Sequence, residues 1–153
     1  MEIKGGLGMK LVYRLLFALH IFVGSVALVG GSVGAIDYHE PFGMSVELLR
    51  DSPFNNYLIP GIMLFTIIGI GNIFCAFMFS LKLKFQAYIS CVFSYALVIW
   101  VVVQCIMLNN VAFRNVLFLI IGIIQAVLSM IILFDRRLFP VKLIQNFISK
   151  ATR

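Results

Sequence analysis

Charged side chains are scarce in this chain. Of its 153 residues, 12% are charged and 62% are hydrophobic, whereas about a quarter of the residues in a soluble domain are charged. A water-soluble fold of this size cannot hide so much apolar surface, because part of any small domain must face water. The composition therefore excludes an ordinary soluble domain and indicates a protein that folds in lipid.

Motifs for catalysis and metal binding are also lacking. The three cysteines, Cys75, Cys91 and Cys105, are far apart, so the C-x-x-C pair of a thiol oxidoreductase is missing. The sequence has no H-E-x-x-H helix and no glycine-rich phosphate loop. These absences predict buried apolar thiols and a protein that has no cofactor and no metal, and that is more likely to be a non-enzyme than an enzyme.

Four long apolar stretches are present, at about residues 11–36, 57–81, 85–108 and 113–134. A transmembrane helix needs about 20 mostly apolar residues, and a helix satisfies its own backbone groups in lipid. The stretches lack the polar–apolar alternation of barrel strands. The predicted fold is all-α, a single polytopic membrane domain built as a four-helix transmembrane bundle. The first stretch has a cleaved signal peptide as its alternative.

Basic residues predict how the chain is threaded, because they mark the cytoplasmic side. Ten of the twelve lie before or early in the first stretch, in the link around residues 82–84, or after residue 135, which leaves Arg50 and Arg114 on the other side. We expect a cell-membrane protein with both termini cytoplasmic. The net charge of +6 then reflects orientation and attraction to anionic lipids, and no nucleic-acid partner is predicted.

Residues 37–56 form the predicted outer loop, which carries four of the six acids. Ser45 followed by "VELL" predicts a short helix that ends at "DSP". We expect residues 42–58 to fold back onto the bundle, because water penalises the exposure of large apolar side chains. The side chains expected to be covered are Met44, Val46, Leu48, Leu49 and Phe54.

Residues 138–150 are predicted to form a second amphipathic element, in the C-terminal tail. Leu143, Ile144, Phe147 and Ile148 recur at helical spacing, with basic and amide side chains between them. A basic helix lying on the inner leaflet is the simpler interpretation, and a helix that binds a protein partner is the alternative.

Candidate binding residues fall into two groups. In the outer loop, Asp37, His39 and Glu40 are close in sequence and Asp51 can fold back towards them; we weigh metal or proton chemistry against a solvated loop. Within the spans, His20 is a functional candidate by default, and it can equally bond a carbonyl or Asn72. The mid-span amides, including Asn72, Gln104 and Gln125, indicate either packing or a polar path.

Glycines are concentrated in the first two spans, at Gly30, Gly31 and Gly34 and at Gly69 and Gly71. Small residues let helices approach closely. The pattern predicts tight packing of spans one and two, or a homodimer face.

The stretches "GGSVGAID", "PFGM", "SPFNNYLIPG", "GIG" and "ALVIWVVVQ" resemble a group of small bacterial four-span integral membrane proteins, most of them uncharacterised. The resemblance implies four helices and a shared outer loop, and it carries no catalytic residue across.

Three functional classes follow. The first is a non-enzymatic accessory subunit or a module that binds lipid or a protein partner. The second is a small oligomeric transporter or channel lined by His20, Asn72 and Gln104. The third is a membrane enzyme that uses the outer-loop acids Asp37, Glu40 and Asp51 with His39.

Overall fold

A computed structural model describes residues 7–50, 52–81, 85–108 and 113–135. Asp51 and the tail helix predicted at residues 138–150 lie outside these residues. The described part contains four long helices: α1 (Leu7–Ile36), α2 (Leu58–Ser80), α3 (Gln86–Met107) and α4 (Phe113–Asp135). Each is long and apolar enough to cross a membrane. The all-α fold with four helices able to span a membrane is therefore confirmed, and it indicates a multi-pass membrane protein.

The bounds of three helices match the predicted spans to within a residue. Helix α1 starts earlier than predicted, at Leu7, because Lys10 continues the helix although it interrupts the apolar run. The helices run up and down, so one end of the bundle gathers Ile36, Leu58, Met107 and Phe113 together with residues 37–50 and 52–57, which we call the 37–57 loop. We call this end of the bundle the loop end.

Helix α2 contains a π-helical segment, Leu64–Ile70, between two α-helical parts. Such segments are rare and frequently lie at functional sites. Two side chains donate to backbone carbonyls in or beside this segment: Thr66 Oγ1 to the Ile62 carbonyl and Asn72 Nδ2 to the Ile68 carbonyl, both at 2.8 Å. The sequence analysis did not predict this segment, because a widened turn has no residue signature in an apolar run.

Glycines bring α1 and α2 into backbone contact. A Cβ added at Gly31 would lie 2.5 Å from the Phe65 backbone nitrogen, and one at Gly61 would lie 2.6 Å from the Gly34 carbonyl carbon. At Gly30 the nearest atom would be a leucine methyl at 3.5 Å. The predicted packing of spans one and two is thus confirmed, with Gly31 and not Gly30 at the tightest contact, whereas Gly71 faces Phe93 of α3.

Two apolar layers fill the bundle interior. The layer nearer the loop end consists of Val23, Ala27, Ile68, Leu97, Trp100 and Val101. The layer nearer the opposite end consists of Leu16, Phe79, Ala87, Ile132 and Leu133. The three cysteines are free; Cys75 is buried as predicted, whereas Cys91 and Cys105 are only half-buried.

The 37–57 loop folds onto the loop end, as predicted. It makes two short 3-10 turns, Pro41–Gly43 and Val46–Leu49, and Ser45 caps the second by accepting from the Glu47 N–H. Leu49 and Tyr57 are buried with Met107 of α3, and Met44, Val46 and Phe54 pack around them. The expectation for Leu48 was wrong, because this residue is 42% exposed; within a 3-10 turn, neighbouring leucines point to different sides.

Candidate functional site

A cavity of about 430 Å³ lies at the loop end, between all four helices and beneath the 37–57 loop. We call it the loop-end cavity. The apolar layer nearer the loop end forms its floor, since all six residues of that layer line it. Its volume falls in the range of ligand pockets, roughly 300 to 1,000 Å³. The bundle therefore encloses a space large enough for a small molecule or part of a lipid.

The cavity walls are mostly apolar side chains of the four helices. Helix α1 contributes Val26, Val29 and Gly30, α2 contributes Leu64, and α4 contributes Phe118. Val26 and Val29 are also 40% and 62% exposed, so this wall is continuous with the surface that lipid would cover. Ser25 is the polar side chain that α1 contributes to the lining, so an apolar ligand would meet a mostly apolar wall on that side.

Polar groups of α3 and α4 line the cavity with few or no hydrogen-bond partners among the described residues. Trp100 Nε1 is buried and has no hydrogen-bond partner in the described chain. Gln104 is half-buried, and no hydrogen bond of its side chain occurs within the described residues. Asn115 Nδ2 donates only to Cys105 Sγ, at 3.6 Å. An unpaired buried polar group costs about 1–3 kcal/mol, so this wall is better suited to a bound molecule than to an empty space.

Arg114 is the one charged residue among the described residues that line the cavity. It is exposed at the mouth, and its Nη2 lies 3.7 Å from Met44 Sδ of the loop. It is also the second residue of α4, where the positive end of the helix dipole disfavours a cation. A cation in this position is an electrostatic liability for the helix.

The roof of the cavity includes a strained residue, Phe42. Its φ of 55° and ψ of 26° place it in the left-handed region, which costs a bulky residue about 1–2 kcal/mol. The phenyl ring lines the cavity although it is 61% exposed. Strain of this kind tends to occur at ligand clamps and active sites.

Tyr57 closes the other side of the roof. Its hydroxyl donates to the Ser45 carbonyl at 3.1 Å, and its N–H donates to the Tyr38 carbonyl at 2.9 Å. Burial raises the pKa of this phenol above its ordinary value of 10.0. These two hydrogen bonds join Tyr57 to the loop segments at Tyr38 and Ser45, and so hold the loop across the cavity mouth.

A buried polar cluster lies further from the loop end, between the two apolar layers. His20 Nδ1 is 2.7 Å from Asn72 Oδ1, and His20 Nε2 is 2.7 Å from Ser90 Oγ. Ser90 Oγ is 2.6 Å from Ser129 Oγ, and Gln125 Nε2 is 3.5 Å from His20 Nδ1. All five side chains are inaccessible to solvent, and together they join the four helices.

The hydrogen-bond partners assign the hydrogens of this cluster. Because Asn72 Nδ2 donates to a carbonyl, Asn72 Oδ1 is the acceptor for the Nδ1–H of His20. In a neutral imidazole, Nε2 then accepts from the Ser90 hydroxyl. The Ser129 hydroxyl has both Ser90 Oγ and the Gln125 carbonyl within reach. With Nδ1 protonated, the Gln125 amide N–H at 3.5 Å cannot donate to it, and Gln125 Oε1 has no partner in the described chain.

The three described outer-loop candidates, Asp37, His39 and Glu40, are exposed and do not form a binding site among themselves. The Glu40 N–H donates to Asp37 Oδ1 at 3.4 Å, and the His39 ring packs on Tyr38 at a centroid distance of 4.4 Å. None of the described residues forms a group of three or more His, Cys, Asp or Glu side chains that could hold a metal. Asp51, the fourth candidate, lies outside the described residues.

The structure brings two of the span candidates together and separates the third. His20 and Asn72 meet in the polar cluster, whereas Gln104 lines the loop-end cavity on the other side of the apolar layer. Sequence reasoning missed Ser90 and Ser129, because single serines are common in apolar helices. It also missed the loop-end cavity. The available signals in the sequence were Trp100 and Arg114, a tryptophan and a basic residue that line the cavity.

Comparison of the chain with protein-family models, curated proteins and solved structures finds no match in any of the three.

Proposed function

We propose that this protein is a non-enzymatic membrane module that binds a lipid or another apolar amphiphile in the loop-end cavity. In this proposal the protein resides in the cell membrane with both termini cytoplasmic, so that the cavity lies in the outer half of the bilayer. The observation that carries the proposal is the cavity itself, whose volume is about 430 Å³. An apolar space of this size beside lipid is readily filled by an acyl chain.

The packing of the bundle supports ligand binding more than it supports transport across the membrane. The cavity ends on a packed layer that includes Val23, Ile68, Leu97 and Val101. Beneath that layer, the His20 cluster is sealed from solvent. A bound molecule would therefore enter from the side or from the loop end and leave by the same way. The capping loop and the unpaired Trp100 Nε1 are features expected of a binding pocket.

Native mass spectrometry of the protein in mild detergent tests this function. The variant Gly30→Leu places a side chain in the cavity, since the Gly30 Cβ position has only one neighbour, at 3.5 Å. The matched control is Gly8→Leu, at a glycine with nothing within 4 Å. We expect bound lipid on the unmodified protein and on the control, and its loss from Gly30→Leu. Bare unmodified protein, or equal binding by both variants, would overturn the proposal.

A further inference from the structure

The size of the loop-end cavity limits what it can hold. An engineered apolar cavity of about 150 Å³ binds benzene, and the cavity here has a volume of about 430 Å³. By proportion it accommodates roughly 17 non-hydrogen atoms. That is the size of one acyl chain of medium length with a small headgroup, and it is too small for both chains of a phospholipid.

Most of the polar side chains that line the cavity lie on one side. Trp100 and Gln104 come from α3 and Arg114 and Asn115 from α4, whereas the floor and the α1 wall are apolar except for Ser25, and the loop adds Tyr57. Among the described lining residues one is cationic, Arg114, and none is acidic. Trp100 and Gln104 add N–H groups without protein partners. A ligand that matches this wall has an apolar tail and a headgroup rich in hydrogen-bond acceptors.

One electrostatic penalty acts on Arg114 and calls for a compensating partner. The first turn of α4 contains no acid, so the cation faces the positive end of the helix dipole alone. Within the described chain its polar contact is a methionine sulfur at 3.7 Å. An anion at the mouth would remove this penalty, and it would also benefit from the α4 N-terminus.

We infer that the amphiphile held in the loop-end cavity carries an anionic headgroup, a carboxylate or a phosphate, which Arg114 binds at the mouth while one chain occupies the cavity. This inference rests on the proposed function and adds the chemical class of the ligand. A guanidinium pairs with either anion through two parallel hydrogen bonds. The headgroup can belong to a free fatty acid or to a membrane lipid.

The protein contains one tryptophan, Trp100, and it lines the cavity, so its fluorescence reports occupancy. We would titrate the protein in a non-ionic detergent with brominated forms of tetradecanoate, tetradecyl phosphate and tetradecanol, whose bromine atoms quench tryptophan. The variants are Arg114→Gln and its control Arg50→Gln, which removes the same charge from a loop residue that does not line the cavity. Gly30→Leu blocks the cavity.

We expect saturable quenching by all three amphiphiles, with the two anions binding at least about fivefold more tightly than the alcohol. Arg114→Gln should abolish that preference and keep chain binding, and Arg50→Gln should keep both. Tighter binding of tetradecanoate would point to a fatty acid, and tighter binding of the phosphate to a lipid headgroup.

Two results would count against these ideas, and they differ. Equal binding of anions and alcohol, or a preference that survives Arg114→Gln, would overturn the headgroup inference and leave the proposed function standing. No saturable quenching by any of the three, or quenching that Gly30→Leu does not reduce, would overturn the proposed function itself.

Discussion

His20 of α1 and Ser90 of α3 face each other inside the bundle, with Nε2 2.7 Å from Oγ. The same imidazole reaches Asn72 of α2 through its other nitrogen, and Ser90 continues the contact to Ser129 of α4. Apolar surfaces alone give helices little preference for one another in lipid, so such polar contacts help to specify which faces meet. The cluster therefore fixes the rotation of all four helices and thereby supports the cavity above it.

Replacing His20 should loosen the bundle. In His20→Leu, similar in volume, Asn72 Oδ1 loses its donor, and we expect a loss of about 1–3 kcal/mol of unfolding free energy. The matched control is His39→Leu, which changes the other histidine, exposed in the loop. Denaturant unfolding in detergent micelles measures both. Equal stability of the two variants would show that the cluster contributes nothing.

Adjacent glycines in α1 should respond in opposite ways to alanine. Gly31→Ala pushes a Cβ against the Phe65 backbone, which cannot move aside as a side chain can, and overpacking of this kind costs about 1–3 kcal/mol. Gly30→Ala meets only a leucine methyl at 3.5 Å, and alanine favours the helix by up to about 1 kcal/mol. Thermal unfolding of the two variants checks this order, and a Gly31→Ala variant as stable as Gly30→Ala would contradict it.

Adjacent leucines in the loop should also differ. Leu49 is 2% exposed and Leu48 is 42% exposed, so Leu49→Ala should release the loop from the bundle and Leu48→Ala should not. A buried leucine truncated to alanine costs about 2–5 kcal/mol. Hydrogen exchange in nanodiscs measures the docking of the loop at the amides from Val46 to Leu49. Fast exchange there in the unmodified protein would show that the loop is not docked.

Raising the pH should weaken the docking of the 37–57 loop, because it deprotonates the phenol of Tyr57. Because burial raises the pKa of this phenol, its contribution to docking is fully present below pH 10.0 and is lost as the pH rises through the raised pKa. The absorbance titration of the unmodified protein minus that of Tyr57→Phe isolates this one phenol. We expect its midpoint above 10.0; a midpoint at or below that value would contradict the burial of the side chain.

The spans and the docked loop followed from the sequence because each depends on local composition. Long apolar runs predict helices in lipid whatever their neighbours are. Leu49 and Phe54 in a polar loop predict that the loop packs against an apolar surface. The His20 contact with Asn72 was one of two alternatives, since two polar groups in neighbouring spans seek each other.

The rest depends on how the helices are rotated against one another. Which glycine meets Phe65, which serines join His20, and whether Trp100 borders a space or a side chain all follow from packing, which periodicity does not determine. The π-helical segment of α2 shifts that rotation within a single helix. For this reason the sequence identified Arg114 only as one of two basic residues on the predicted outer side. Its position in the cavity lining emerged from the structure.

The central claim is that a lipid or another apolar amphiphile occupies the loop-end cavity. Its most direct test is a crystal structure of the protein, determined from crystals grown in a lipidic phase with native lipids retained. We predict continuous, elongated density in the loop-end cavity, running from the floor at Ile68 and Leu97, past Trp100, to the mouth at Arg114. An empty cavity, or one closed by side chains of the same bundle while lipid is ordered on its outer surface, would contradict the account.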